Sequence, residues 1–390
     1  MGVLRTLALL VLLISFLTLV LLFGQLPRLR KTPIGKVYRL LRYRLPALLS
    51  SIDRIICSSR LTPFLIRGGA YLVNEPHPLV ICFYLTLVTG GIYVFLSSGW
   101  SFLSPLQKGI VSLVSPLPYI SMYLASTSDP GVITPSNHTA ALDMYPYDHT
   151  IFFPPPNTPP CRSCHLQKPA RSKHCSICKA CVAKQDHHCI WINNCVGLAN
   201  IRWFILFLIS TDVLLLVGML LCWGILDFVL RQSGIEIAGL SWNEYIRLLG
   251  LAVVEQVSIG AIFLLCALCG ILSFTFTGYH IYLIWAGTTS NETTKWDEWK
   301  EDIKAGIIYL GELEEEGEEE REHGSVPGEH WPRKQRQWLY RIAAAGRTDM
   351  LPQIRGVVWQ KVEGLAEVDN IYDCGGWANF RDVLWPGKLE

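Results

Sequence analysis

Asp186, His187, His188 and Cys189 follow one another inside residues 161–204. That stretch holds seven of the chain's 13 cysteines (Cys161, Cys164, Cys175, Cys178, Cys181, Cys189 and Cys195) together with His165, His174, His187 and His188. A cysteine sulfur attacks as the thiolate, and a histidine within hydrogen-bond reach, oriented by a carboxylate, can take its proton. Asp186, His187 and Cys189 have the composition of such a relay. With Cys189 set aside six cysteines remain, and two histidines bring the set to eight, the number that two closed tetrahedral zinc sites need. Pairs spaced CxxC recur as zinc half-sites because a two-residue spacer turns both sulfurs toward one ion about 2.3 Å away. The assigned sets are Cys161, Cys164, His174 and Cys181 for one ion, and Cys175, Cys178, His188 and Cys195 for the other. Spacing supports two sites and leaves their pairing open. Neither ion keeps a free position in this arrangement, so the zinc is structural and folds a segment too polar and short to fold alone. His187 and His188 are adjacent and point in different directions, so one serves a metal while its neighbour serves chemistry. The competing reading makes Cys189 a ninth, redundant ligand.

The chain around this stretch has 390 residues, 51% hydrophobic and 17% charged, with a net charge of +2. Soluble domains carry more charge, about 25%. The near-neutral balance gives no reason to expect nucleic acid, whose binders show a basic excess. Cys57, Cys82, Cys222, Cys266, Cys269 and Cys374 are scattered and form no disulfide framework, whereas clustered CxxC pairs point to reduced thiols facing the cytosol.

Spanning a ~30 Å hydrocarbon core takes roughly 20 apolar residues in a helix. Five stretches qualify: 6–23, a span near 78–98, 109–128 (broken by Pro116 and Pro118), 203–229 and 256–286. The first reads as an uncleaved anchor, because its apolar run is long and no small-residue cleavage site follows Phe23. The loop at 25–77 holds ten basic residues against Asp53 and Glu75, and the positive-inside rule assigns it to the cytosol. Counting crossings from there returns both the cysteine-rich stretch and the C-terminal tail to the cytosolic side. The predicted architecture is a polytopic α-helical membrane protein of about five transmembrane helices, with a small cytosolic double-zinc domain inserted between spans three and four. Its divisions are spans one to three in 1–127, a linker at 128–160, the cysteine-rich domain at 161–202, spans four and five in 203–290, and a tail from 291 to 390.

Outside the site, the proline-rich 154–160 reads as a stiff spacer, and Glu312 to Glu322, with eight glutamates, as a disordered linker. Residues 331–345 interleave Trp331, Trp338, Leu339 and Ile342 with basic residues. Two readings stand for them: an amphipathic helix on the membrane surface, or packing against the protein's own cytosolic domain. Residues 293–369 show no definite fold. Asp212, about ten residues into the fourth span, is read as hydrogen-bonded to a neighbouring helix's hydroxyl. His280, near the end of the fifth, is read as an interhelical hydrogen-bond partner and left out of the catalytic set.

At Asp186 to Cys189, with Lys168, Pro169, Arg171, His174, Trp191, Asn194 and Asn200 around them, the chain resembles the DHHC-type protein S-acyltransferases, membrane enzymes that attach palmitate to cysteine. The match covers residues 161–204. Asp129-Pro130-Gly131 is similar to the family's DPG motif, and Asn370 and Asn379 fall where its C-terminal motif carries asparagines. Thr289-Ser290-Asn291-Glu292 sits where the family has TTxE, with a serine hydroxyl replacing a threonine's and its hydrogen bonding expected to survive. Ile190 after Cys189, where most relatives have proline, and the extra N-terminal span are similar to the fungal endoplasmic-reticulum branch. Members of that branch modify membrane-proximal cysteines of membrane proteins, SNAREs among them.

The resemblance implies two bound zinc ions and a two-step reaction. In it Cys189, deprotonated by His187 that Asp186 holds, takes the acyl group from palmitoyl-CoA and passes it to a substrate cysteine. Lys168, Arg171, Lys173 and Arg202 are candidates to meet the CoA phosphates, each weighed against a plain solvated charge. A cavity beneath Cys189 is needed to hold the acyl chain. The rivals are a non-catalytic membrane adaptor, which needs no relay, and a membrane metalloenzyme, for which no HExxH helix exists.

Overall fold

The computed structural model describes residues 32–44, 61–147, 159–234, 239–313, 331–333, 337–342, 351–353 and 357–387, with a few short stretches and single positions between them. The expected span at 6–23 (apart from Val20), residues 154–158 of the proline-rich spacer and most of the glutamate run lie outside the described residues. The chain divides into two units, 1–75 and 76–390. In the first, α1 (Pro33–Arg39) runs into a π-helical turn at Leu40–Arg44, and α2 covers Leu61–Asn74.

In the second unit, four helical segments among the described residues are long and apolar enough to cross a bilayer. They are α3 (Leu79–Gly99, continued to Phe102), the pair α4 (Pro105–Val114) and α5 (Leu117–Thr127), α7 (Ile201–Gln232) and α9 (Val257–Trp285). The interruption between α4 and α5 falls at Ser115-Pro116, where proline lacks the amide an unbroken helix would use. Polar pairs tie the helices together: Tyr84 with Thr211 at 2.9 Å and Ser121 with Ser210 at 2.7 Å. Asp212 is buried and accepts a hydrogen bond from Ser273 of α9, the interhelical partnership its position called for. Between α7 and α9 lies a helix the sequence reading passed over, α8 (Trp242–Glu255). It opens with a capping box at Ser241 and Glu244 and turns Tyr245, Leu249 and Ala252 inward.

The cysteine-rich segment forms two short antiparallel hairpins, β1 (Lys173–Cys175) with β2 (Ala180–Val182), and β3 (His187–Cys189) with β4 (Asn194–Val196). The linker docks onto them. Asp129 Oδ1 accepts from the amides of Gly131 and Val132 at 2.9 Å, and the chain then runs beside β2, with the Ile133 amide donating to Cys181 O at 2.8 Å. Gly197 lets this approach occur, since a Cβ there would stand 2.5 Å from Pro130 O. Helix α6 (His138–Met144) then brings Tyr145 against the module's buried core.

The described residues of the tail form regular elements, which corrects the expectation of no definite fold for 293–369 at those positions. Helix α10 (Ser290–Lys304) leads into an antiparallel sheet ordered β6-β5-β7, from β5 (Ile308–Leu313), β6 (Gln337–Arg341) and β7 (Val357–Lys361), and α11 (Gly376–Leu384) follows. Residues 337–341 are strand, so the membrane-surface helix is corrected. Leu339 faces the shared core beside Leu310 while Tyr340 faces out, the two-residue period of a sheet. Trp331 packs against that core and Ile342 is buried, as the packing alternative required.

At the meeting point of linker, module and tail lies a buried ion pair. Arg171 Nη2 is 2.6 Å from Glu292 Oε2 and its Nε 2.8 Å from Oε1, a two-pronged contact, and Nη2 also donates to Gly287 O at 2.9 Å. The guanidinium lies over the rings of Tyr372 (4.5 Å) and Tyr145 (5.3 Å). Glu292 also closes the capping box of α10, accepting from the Thr289 amide at 3.0 Å. Removing one partner strands a buried charge at a cost of about 3–5 kcal/mol, whereas replacing both by apolar residues costs less. Melting of the detergent-solubilised protein should therefore fall sharply for Arg171→Met and for Glu292→Met, and less for the double variant than for either single one.

Candidate active site

A strand points alternate side chains to opposite faces, and the β3–β4 hairpin uses this to separate two chemistries. His188, paired in register with Cys195, faces the metal-type cluster, while His187 and Cys189 share the other face. On β1 the same alternation splits His174 from Cys175. The result is two interleaved quartets, Cys161, Cys164, His174 and Cys181, and Cys175, Cys178, His188 and Cys195, each with its ligand atoms within 4.8 Å of one another. In the first, His174 Nδ1 lies 3.4 Å from Cys164 Sγ and 3.8 Å from Cys181 Sγ. In the second, His188 Nδ1 lies 3.3–3.7 Å from three sulfurs, and Cys178 and Cys195 are 3.6 Å apart. Ligands held about 2.3 Å from a common centre sit about 3.8 Å apart in a tetrahedron, so both quartets fit a metal ion. Cys189 belongs to neither.

On the other face, His187 Nδ1 and Asp186 Oδ2 are 2.5 Å apart. Asp186 is held in turn by the start of α10. The Ser290 amide donates to Oδ1 at 2.6 Å and the Ser290 hydroxyl to Oδ2 at 3.1 Å, so the hydrogen bonding survives the serine replacement. Burial works against the Asp186 carboxylate, but the His187 hydrogen bond and the Ser290 amide outweigh it and hold the group below the usual carboxylate range. Burial likewise disfavours protonated His187, yet Asp186 and then Cys189 prevail and raise its pKa to about 9. An imidazole hydrogen-bonded to a carboxylate, on the same strand face as a thiol, has the composition nucleophilic catalysis uses.

Two cavities meet this relay. One, about 480 Å³ and almost wholly apolar, has Cys189 and Trp191 in its lining and follows α7 from Phe204 to Leu221, roughly 25 Å of helix. The other, about 750 Å³ and polar, is lined by Asp186 and His187, by Lys168 and Lys173 of the module, and by Ser290, Asn291, Thr294, Lys295 and Glu298 of α10. Of the four basic residues expected to meet phosphates, Lys168 and Lys173 line this cleft. Arg171 and Arg202 do not. Arg171, in a left-handed turn (φ 60°), is buried against Glu292, while Arg202 reaches Leu384 O at 3.4 Å and lies over Trp203. Lys295 is a cleft residue the sequence reading missed; Asn291, Thr294, Lys295 and Glu298 share a face at helical spacing, a signal hidden by treating the segment as unfolded.

His280 was also left out, and its place differs from the plain interhelical partner expected. It stands beside the relay, with Nδ1 3.9 Å from Asp186 Oδ2. Asparagines secure the surrounding helix ends. Asn379 Nδ2 donates to Trp285 O (2.9 Å) and Asn370 Nδ2 to Ala286 O (3.2 Å), satisfying carbonyls at the end of α9. Asn194 Nδ2 donates to Ser128 O (2.9 Å) just beyond α5.

The family model for DHHC palmitoyltransferase matches residues 156–297. Among curated relatives, palmitoyltransferase SWF1 of Neurospora crassa is 36% identical over 99% of this chain and 93% of its own length. The Schizosaccharomyces pombe palmitoyltransferase swf1 is 34% identical over 95% of this chain and 94% of its own, and rat palmitoyltransferase ZDHHC4 is 29% identical over 81% and 80%. Full-length similarity and the family-model match agree: this chain belongs to the DHHC palmitoyltransferase family.

Proposed function

We propose that Cys189 carries the acyl group in a ping-pong transfer from palmitoyl-CoA to cysteines of membrane proteins. His187 takes the Cys189 proton, the thiolate attacks the thioester carbonyl, and the carbon–sulfur bond to CoA breaks as His187 returns the proton to the departing thiolate. In the second step a substrate thiol gives its proton to His187 and attacks the acyl-enzyme, and Cys189 leaves as the thiolate that recovers this proton. Exchange between thioesters changes little free energy, so the work of the site is orientation and proton handling. The observation that carries this reading is that Cys189 lines the apolar cavity while its partners His187 and Asp186 line the polar cleft. Each acyl CH₂ buried in the first contributes ~0.8 kcal/mol. Lys168, Lys173 and Lys295 give the second a cationic wall suited to the CoA phosphates.

Zinc is the ion that thiolate and imidazole quartets favour, and it would fold the module without touching the acyl group. The reading places the module and tail in the cytosol, where acyl-CoA and reduced thiols reside, and the chain in the endoplasmic-reticulum membrane. What supports this is the basic loop 25–77 and the resemblance to fungal palmitoyltransferases. Juxtamembrane cysteines, those of SNAREs included, are the acceptors that a thiolate beside an apolar cavity would reach.

Incubation with palmitoyl-CoA should label Cys189 through a hydroxylamine-labile bond, located by mass spectrometry, and Cys189→Ala should remove the label. No label on folded, metal-loaded protein would overturn the reading. Because His187 stays protonated up to about pH 9, the imidazole able to accept a proton grows as pH rises, and the labelling rate should climb toward that value. In Asp186→Asn the rise should come at lower pH, with a plateau reduced roughly a hundredfold or more.

Metal analysis should find two zinc ions per wild-type chain. Cys161→Ser and Cys178→Ser should each lose one, while Cys189→Ser keeps both; loss of metal in the last variant would make Cys189 a ligand. Reversing charge at Lys173 or Lys295 to Glu should raise KM for palmitoyl-CoA about tenfold with little change in kcat, the cost of one charge-assisted phosphate contact.

A further inference from the structure

His280 lies near the end of α9, buried, and lines neither the apolar cavity nor the polar cleft. Its ring leans on that of His187, centroids 5.5 Å apart and planes 36° apart, and edge contacts from Phe204 (5.0 Å) and Phe276 (4.6 Å) fix its rotation. One polar atom from each of Asp186, His187 and His280 lies within 4.8 Å of the other two. The chain reverses just beyond α9 at Gly287 (φ 61°), where a Cβ would stand 2.7 Å from Asp373 Cα, and then begins α10 with Ser290 on the same Asp186 carboxylate. The two sides of one turn therefore reach one carboxylate.

We infer that His280 is a positioning residue for acyl transfer. Its Nδ1 stands 3.9 Å from Asp186 Oδ2, an electrostatic contact longer than a hydrogen bond, and its ring backs His187, so carboxylate and imidazole stay in the geometry in which His187 meets the Cys189 proton. Ser290 holds Oδ1 through its amide and shares Oδ2 with His187. Oδ2 also faces His280, whose ring is flanked by Phe204 and Phe276 and, at 5.6 Å, by Tyr279. A nitrogen at this position restrains the carboxylate without adding a group that reaches substrate. The inference rests on Cys189 being the acylated nucleophile.

The test uses the full-length protein in detergent with its metal content measured, and reads the single-turnover rate of Cys189 acylation by palmitoyl-CoA. His280→Phe keeps an aromatic ring and loses the nitrogen. It should hold wild-type metal, leave KM for acyl-CoA unchanged and slow acylation about tenfold. His280→Asn, which restores a donor near the Nδ1 position, should recover most of the rate. In an Asp186→Asn background, His280→Phe should change the rate by less than about twofold, because the group it acts through is gone. A wild-type rate in His280→Phe, or a full tenfold loss on top of Asp186→Asn, would overturn the role. If His280→Phe fails to fold, His280→Asn against His280→Gln carries the same comparison: Asn must exceed Gln, and equal rates refute the inference. Wild-type protein that folds, holds metal and shows no Cys189 label would instead refute the reading of Cys189 itself.

Discussion

The two-residue period of a β-strand is the constraint on which this site depends. On β3, His188 is committed to a metal-type quartet with Cys195 opposite it, and this commitment sends His187 and Cys189 to the other face. A slip of one residue would exchange the two sets and leave the sulfur facing the metal. A metal held by these quartets would do more than fold a polar segment. It would fix the register that keeps one sulfur out of the cage and turned toward the apolar cavity.

That register still needs an anchor to the membrane helices, and the anchor is mostly backbone and buried charge. Gly197 admits the Asp129-Pro130-Gly131 loop, Asn194 holds carbonyls at the end of α5, and Asn370 and Asn379 hold those of α9. Arg171 and Glu292 join the module to the start of α10, so the helix that supplies Ser290 to Asp186 is tied to the strand segment that carries Asp186. Near this junction Lys184 Nζ lies 2.5 Å from Asp382, and the Tyr145 hydroxyl also donates to Asp382, which brings α11 into the same assembly. Burying so many charges is tolerable because each is paired and hydrogen-bonded.

The acyl transfer proposed for Cys189 would use an apolar compartment for the chain and a polar one for the CoA head, with the sulfur at their boundary. The geometry supplies that boundary at the junction of module and helix bundle: aromatic and aliphatic side chains below Cys189, lysines and α10 polar groups beyond His187. The apolar side is made by the spanning helices and the polar side by the tail and module, so neither part builds the site alone.

The sequence by itself determined what residue types and short spacings can encode. The CxxC pairs and histidines pointed to two metal-type sites while leaving their pairing open, adjacency gave the division between His187 and His188, and apolar runs gave the four described spans among the five expected, down to the break at Pro116. The CxxC half-sites, the adjacent histidines and the spans are each local, within one turn, one strand or one helix. Tertiary structure decided the rest, because contacts between residues far apart in the chain leave no periodic trace. Arg171 carries the same charge as Lys173, yet a left-handed turn buries it against Glu292 while Lys173 lines the cleft. His280 reads as one polar residue in an apolar helix until the fold lays it against Asp186 and His187. The tail strands, short and interrupted by a glutamate run, become legible only when Leu310 and Leu339 find the core they share, since sheet pairing is a property of two segments and not of either one.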